Sequence, residues 1–315
     1  MQSGAGQNCT NTRNAPLADQ GPLSQTMTHF QITDYRVRHP LRVRWSEVDI
    51  QRIVFNPHYL TYVDIAFTEY WRALAIPYEM IPGLLGGDLY VKKSTLEYHG
   101  SARLDDRLDI AIRCNRIGNS SLAFSGGVFR DTGLLVSADL VYVFADPATQ
   151  TARPVPAQLR DLITDFEAGK IVLDVVQGSW SDIGSACRGL RKTVFMDELQ
   201  IAAALDEDAQ DQTAVHILIR NRLGQALATG RLLHDGNTSG SLGRVAVLRS
   251  MRGAGLGKMV VNELVRHADA AGVRQLKLAA RADTQALYAG LGFQPLGEVY
   301  LESGTVHVAM QRGLG

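Results

Sequence analysis

Between residues 108 and 144 the apolar positions alternate with polar ones three times over: Leu108, Ile110, Ile112 and Cys114; Leu122, Phe124, Gly126 and Val128; Val136, Ala138, Leu140, Tyr142 and Phe144. A period of two places such residues on one face of a β-strand. Short turns at Gly118-Asn119 and Asp131-Thr132-Gly133 separate the runs, so the strands are antiparallel neighbours. Ahead of them the period changes. Tyr59, Val63, Phe67, Tyr70, Trp71 and Leu74 recur at three- and four-residue spacing, one face of a helix that runs to about Ala75. Asn56 suits the N-cap and Pro57 the first helical position, while Pro77, Pro82 and Gly83 end the pattern. One long helix followed by antiparallel strands predicts a sheet wrapped around a central helix that is apolar over most of its surface.

The remainder restarts rather than continues. Residues 36–44 alternate in part, consistent with a first strand, and after Pro147, Pro154 and Pro156 a short helical pattern (Leu159, Leu162, Ile163, Phe166) reads as a connector. A strand at 170–176, a helix at 183–195, and strands at 214–220 and 226–233 follow, with the acidic stretch 206–211 as a solvated loop. Then come a strand at 243–248, a loop at 249–258, a helix at 259–271 stopped by Gly272, a strand at 275–280, a helix through Tyr288 and a last hairpin to Met310. The expected class is α+β in two domains, which suits 315 residues at 45% hydrophobic. The divisions are a disordered leader at 1–33, a first domain at 34–153, a connector at 154–169 and a second domain at 170–315.

Lys and Arg total 32 against 32 Asp and Glu, and residues 30–168 hold 15 basic and 17 acidic side chains, so no basic half is hidden and a nucleic-acid partner is not expected. Cys9, Cys114 and Cys187 are far apart, with no metal spacing, which indicates neither a disulfide framework nor a metal site and makes the cytoplasm the default compartment. No run is long and apolar enough for a membrane helix, and the first 28 residues lack the apolar core of a secretory signal; Met27 is an alternative start.

Two constellations carry chemistry. In the first, residues 44–59 set Asp49 just ahead of the capped helix at Asn56. A helix opening offers free N–H groups suited to an oxyanion, and a thioester needs little more than that and one carboxylate. Together with Tyr98-His99-Gly100-Ser101-Ala102-Arg103-Leu104-Asp105-Asp106 and the segment 116–124, this region resembles the hotdog-fold acyl-CoA thioesterases, in particular the hydroxybenzoyl-CoA and short-chain acyl-CoA group, over residues 38–160. The resemblance implies that Asp49 is catalytic, that the Asn56 backbone N–H polarises the thioester, and that Arg116, Ser120 and Ser121 approach coenzyme A. It also implies a homodimer or homotetramer. Many members carry Gly where this chain has Arg52, which leaves open the loop conformation and the acyl group accepted. Read alone, Asp49 is equally a loop or capping carboxylate, and His58 a surface histidine.

In the second, Arg252-Gly253-Ala254-Gly255-Leu256-Gly257-Lys258 lies between a strand and a helix, where successive N–H groups can converge on a pyrophosphate. A Walker loop is excluded because no Ser or Thr follows Lys258, and the context of a dinucleotide-binding fingerprint is missing. With Gly243-Arg244-Val245-Ala246-Val247, Leu287-Tyr288-Ala289-Gly290-Leu291-Gly292-Phe293 and the ending 302–310, the stretch is similar to GNAT-type N-acetyltransferases over residues 171–312. That resemblance implies that Val245, Ala246 and Val247 hold pantetheine through their backbone and that Tyr288 protonates the departing thiolate. Glu198 and His307 are candidates for the base that deprotonates the amine, each also suited to a structural role.

The combined expectation is a bifunctional enzyme. The first domain hydrolyses an acyl-CoA and the second moves an acetyl group from acetyl-CoA to an amine, both esters serving as substrates with no tightly bound cofactor. The alternative is that one domain is a silent acyl-CoA-binding or regulatory module.

Overall fold

The computed structural model describes residues 31–202, 208–236, 238–302 and 304–315. The expected leader falls outside them except at its end, which enters a 3-10 turn, Ile32–Asp34; Cys9 and Met27 also lie outside. Strand β1 (Val37–Arg42) leads through the 45–55 loop to helix α1 (Pro57–Ala73) and the short helix α2 (Ile81–Leu85). Strands β2 (Asp88–Tyr98), β3 (Arg107–Ile117), β4 (Ser121–Arg130) and β5 (Gly133–Ala145) then complete an antiparallel sheet ordered β1-β3-β4-β5-β2. The three alternating runs of the sequence are β3, β4 and β5. Strand β2 carries no such alternation because it is an edge strand whose residues 92–95 are all exposed.

Helix α1 buries Tyr59, Tyr62, Val63, Ala66, Phe67, Tyr70 and Trp71 against the sheet. Phe67 stacks on Tyr142 with ring centroids 4.0 Å apart. A Cβ at Gly126 would stand 3.2 Å from Val63 Cγ1, so the absence of a side chain there lets the helix lie close to β4. Leu60, Asp64, Thr68 and Ala73 are exposed, so the helix rests on one face of the sheet and is apolar over that face rather than over most of its surface.

The stretch read as a connector is helix α3 (Ala157–Glu167), and Leu159, Leu162, Ile163 and Phe166 are all buried. Glu167 ties it to the first sheet, accepting hydrogen bonds from Tyr70 Oη and Cys114 N at 2.7 Å each. Beyond it lie β6 (Leu173–Gly178), α4 (Trp180–Arg191), a wide π-helical extension at Lys192–Glu198, β7 (Val215–Asn221), β8 (Ala226–His234) and β9 (Ser239–Val247). Helix α5 (Leu256–Ala270), β10 (Gln275–Arg281), helix α6 (Gln285–Ala289), β11 (Gln294–Pro295), β12 (Tyr300–Glu302) and β13 (Thr305–Gly313) follow. The second sheet runs β11-β13-β10-β9-β8-β7-β6, with β12 on β13, and only β9 and β10 are parallel.

The two halves share a buried core. At the carboxyl end of α1, Arg72 Nε donates to Ser250 O at 2.9 Å, and the buried Asn221 donates through Nδ2 to Ala75 O at 2.9 Å. The acidic stretch is not a solvated loop where it is described. Asp211 is 2% exposed and accepts from Arg191 Nη1 and Nη2 at 3.0 Å and from Arg231 Nη1 at 2.7 Å, while Asp208 pairs with Arg231 and Arg244. Charge counting along the chain misses this, because the arginines arrive from α4, β8 and β9. No helix among the described residues is long and apolar enough to cross a membrane.

Candidate active sites

Asp49 occupies a tight loop closed by an antiparallel bridge between Val48 and Val54. Its N–H donates to Ile53 O and its carbonyl accepts from Arg52 N, both at 3.0 Å. Arg52 adopts φ +62°, the left-handed conformation that a glycine would take, so the loop keeps the glycine-type path with an arginine in it. The Asp49 carboxylate accepts from Gln51 N through Oδ1 at 2.8 Å, and Oδ2 has no partner among the described residues.

A buried brace holds this loop to the helix. Glu47, 4% exposed, accepts from Arg44 N, Arg44 Nε and Tyr62 Oη at 2.8 Å each. Burial pushes its carboxyl up, but hydrogen bonds from Arg44 and Tyr62 outweigh burial and hold it below the usual carboxylate range. Phe55 N donates to Glu47 O at 2.9 Å, and Val54 N to Ala102 O at 2.9 Å, so the chain enters the helix on a fixed path. Asn56 precedes Pro57 at the predicted position, but with φ −50° and ψ −36° it is already helical and its side chain caps nothing. The Asn56 N–H has no acceptor among the described residues. His58 is half-buried, with its ring edge-on to Phe55 at 6.3 Å. Trp45, Ile50, Phe55 and Tyr98 expose large apolar surface around the loop.

Arg116, Ser120 and Ser121 lie elsewhere. They flank the β3–β4 turn, whereas the Asp49 loop follows β1, whose last residue Arg42 pairs with Arg107 at the opposite end of β3. The eleven residues of β3 span about 35 Å of extended chain. The turn is held down by Arg160, which donates to Ile117 O and Gly118 O at 3.0 and 2.8 Å, and by Val155 N on Asn119 O at 2.7 Å.

In the second half, β9 and β10 pair only at 239–241 against 275–277 and then part. Strand β9 bulges on β8 between Thr229 and Arg231, with Arg244 at φ +55°, and its edge facing β10 is left without a neighbour from Leu242 onward. The gap is a cleft of about 670 Å³ whose lining includes Val245, Ala246 and Val247, the turn before α5, Tyr288 and His307. Of the predicted run 252–258, all but Ala254 line it. Gly253 and Gly255 sit at φ +86° and +82°, and a Cβ on either would meet nothing within 4 Å, so conformation rather than crowding selects glycine here. Gly255 caps α5, whose first N–H groups have no intrahelical partner.

Arg252 does not reach freely into the cleft. It makes a bidentate pair with Glu198 at 2.6 and 2.7 Å, and Nε contacts Val247 O at 3.3 Å. The hydrogen bonds from Arg252 engage both oxygens of Glu198 and hold its carboxyl below its ordinary range. Tyr288 is 9% exposed, burial pushes its phenol up to about 12, and its hydroxyl has no partner among the described residues. It is therefore a protonated donor at neutral pH. Among the described residues, no group of three or more His, Cys, Asp or Glu is placed to hold a metal ion.

The profile of the thioesterase superfamily matches residues 51–137, and that of the acetyltransferase (GNAT) family matches residues 185–293. The acyl-CoA thioester hydrolase YbgC of Escherichia coli is 27% identical over 131 residues, 41% of this chain and 95% of that protein. A candidate acetyltransferase of Bacillus subtilis (strain 168) is 32% identical over 126 residues, 39% of this chain and 84% of its own length. Among solved structures, an acyl-CoA N-acyltransferase from Pseudomonas aeruginosa is 28% identical with a TM-score of 0.41, over 45% of this chain and 99% of that one.

Proposed function

Residues 51–137 match the thioesterase superfamily, and through residues 185–293 the chain belongs to the GNAT acetyltransferase family; on that premise we propose that it works on coenzyme A thioesters at two sites, hydrolysing an acyl-CoA at the first and moving an acetyl group to an amine at the second. The observation that carries the reading is common to both halves: a helix opening offers backbone N–H groups with no acceptor among the described residues, that of Asn56 beside Asp49 in one case and those of the first turn of α5 at the open edge of β9 in the other.

At the first site the Asn56 N–H points the helix opening at the thioester oxygen and holds the charge that develops there. The unpaired Oδ2 of Asp49 either attacks the carbonyl carbon or takes a proton from an attacking water. The carbon–sulfur bond then breaks and coenzyme A leaves as a thiolate. Arg116, Ser120 and Ser121 belong to the same ligand only if they come from a second copy, since within one chain β3 separates them from Asp49. The exposed apolar ring of Trp45, Ile50, Phe55 and Tyr98 and the open edge of β2 support such a homo-oligomer.

At the second site the turn 253–257 and the start of α5 bind the pyrophosphate, and the free edge of β9 hydrogen-bonds pantetheine. The amine nitrogen attacks the acetyl carbon, and the Tyr288 hydroxyl gives its proton to the departing sulfur. Acyl-CoA and acetyl-CoA enter as substrates.

The test is a panel of acyl-CoA thioesters incubated with the purified full chain, with and without primary amines, following free thiol and acetylated amine. Asp49→Asn should lower amine-independent thiol release by on the order of 100-fold or more. It should leave the amine-dependent product unchanged. Tight acyl-CoA binding without thiol release from any ester would favour the silent-module alternative.

A further inference from the structure

We propose that His307 is the general base of the second site, a role that rests on the acetyltransferase reading above. Among the described residues, the ionisable groups lining the cleft are Arg244, Arg252, Lys258, Arg281, Asp283, Tyr288 and His307. Most are cations or a phenol held protonated, so only Asp283 and His307 have a lone pair to offer. Asp283 spends its carboxylate on Arg281, accepting from Nε at 3.1 Å and from Nη2 at 2.6 Å. That leaves the histidine.

The geometry also sets its tautomer. His307 Nδ1 lies 3.0 Å from Thr305 O, and a carbonyl only accepts, so Nδ1 carries the hydrogen and Nε2 keeps the lone pair. Nε2 has no partner among the described residues. The ring is held on its flank by Tyr300, stacked at 6.1 Å and 29°, as the two residues face each other in the β12–β13 hairpin. Arg281, directly opposite on β10, belongs to the Asp283 pair. The other ionisable groups on the packed elements are Glu302 on β12, Lys277 on β10, Tyr288 on α6 and, on β13 itself, Arg312, which donates to Leu291 O. A base fixed in direction in the same cleft as a protonated phenol divides the two proton transfers of the reaction between two groups.

An alkylammonium with a pKa of about 10.4 is neutral in only about one molecule in 2,500 at pH 7. His307 Nε2 takes the first proton from the ammonium and passes it to solvent. The neutral nitrogen attacks the acetyl carbon, the carbon–nitrogen bond forms and the carbon–sulfur bond breaks. The nitrogen loses its second proton, which balances the one that the thiolate takes from Tyr288. The products are the amide, the free thiol of coenzyme A and one proton.

The experiment compares amines that differ in basicity but hardly in shape. A panel of primary alkylamines, amino acids and polyamines is screened with acetyl-CoA and the full chain, following acetylated product by mass spectrometry so that hydrolysis in the first half is not counted. The best acceptor is then paired with its analogue carrying two fluorines on the β carbon, a far weaker base of which a large share is already neutral at pH 7. His307→Gln should lower kcat/KM for the basic amine by on the order of 100-fold and for the fluorinated one by less than about threefold. Acetyl-CoA affinity should not change. In the variant the rate with the basic amine should rise about tenfold per pH unit, as the supply of free amine alone dictates. Equal losses with both amines, or no loss with either, overturn the assignment. Transfer by the parent to no amine at all overturns the acetyltransferase reading instead.

Discussion

Gly255 and Gly257 stand two residues apart at the mouth of the same cleft, yet replacing each with alanine should move stability in opposite directions. Gly255 holds φ +82° with open space where a Cβ would go, so the cost of Gly255→Ala is torsional alone. A left-handed conformation costs a non-glycine residue about 1–2 kcal/mol. Stiffening of the unfolded chain returns about 0.4–1 kcal/mol, leaving a net loss near 1 kcal/mol. Gly257 lies within α5, and its Cβ would stand 3.5 Å from Leu287 Cδ2 and Val247 Cγ2, an ordinary contact. Gly257→Ala therefore gains up to about 1 kcal/mol of helix propensity. The two variants should differ by about 2 kcal/mol, or roughly 4–8 °C in Tm for a unit of this size. Acetyl-CoA should narrow the gap, because Gly257 lines the cleft and a methyl group there takes room from the pyrophosphate. At 100 times Kd the ester should raise the parent's stability by about 2.7 kcal/mol and that of Gly257→Ala by distinctly less. Differential scanning calorimetry with and without acetyl-CoA reads both quantities. A Gly255→Ala variant as stable as the parent would refute the conformational argument, and undiminished stabilisation of Gly257→Ala would refute the placement of the pyrophosphate.

Arg52→Gly removes a left-handed arginine whose guanidinium has no partner among the described residues, so unfolding in denaturant should show stability unchanged or raised by up to about 1 kcal/mol. Acyl-CoA hydrolysis should persist. Asp211→Asn leaves Arg191 and Arg231, 1% and 4% exposed, with no buried carboxylate between them, and chemical denaturation should register a loss of about 3–5 kcal/mol. In the parent, burial raises the Asp211 carboxyl, but the hydrogen bonds from Arg191 and Arg231 prevail and hold it below its unfolded value. Its stabilisation is therefore fully present above about pH 4 and is lost as pH falls through the lower native value. Acid titration of the variant should lack that component. Tyr288→Phe should slow acetyl transfer by on the order of 10- to 100-fold, and because the phenol is pushed up to about 12, the parent's rate should show no tyrosine ionisation between pH 7 and 9.

Periodicity along the chain determined which segments are strands and which are helices wherever one face is buried and the other wet. That condition holds for β3, β4, β5, α1 and α3, and each was legible. It fails for β2, which is exposed at the sheet edge, and for the extension of α4 into a π-helix. The helix start at Pro57 and the glycine-rich turn at 252–258 were likewise legible, because a proline at a helix opening and glycines at a strand-to-helix turn are local features, whereas the expected Asn56 side-chain cap is not made. What no local pattern contains is which distant groups meet. Tertiary structure alone decided that Glu198 is spent on Arg252, that Asp211 is buried between two arginines, and that Nε2 of His307 is left open in the cleft. It also set Arg116, Ser120 and Ser121 a strand's length from Asp49. Backbone conformation follows from neighbours in sequence, whereas the charge state and availability of a side chain follow from what packs against it, and those partners come from anywhere in the chain.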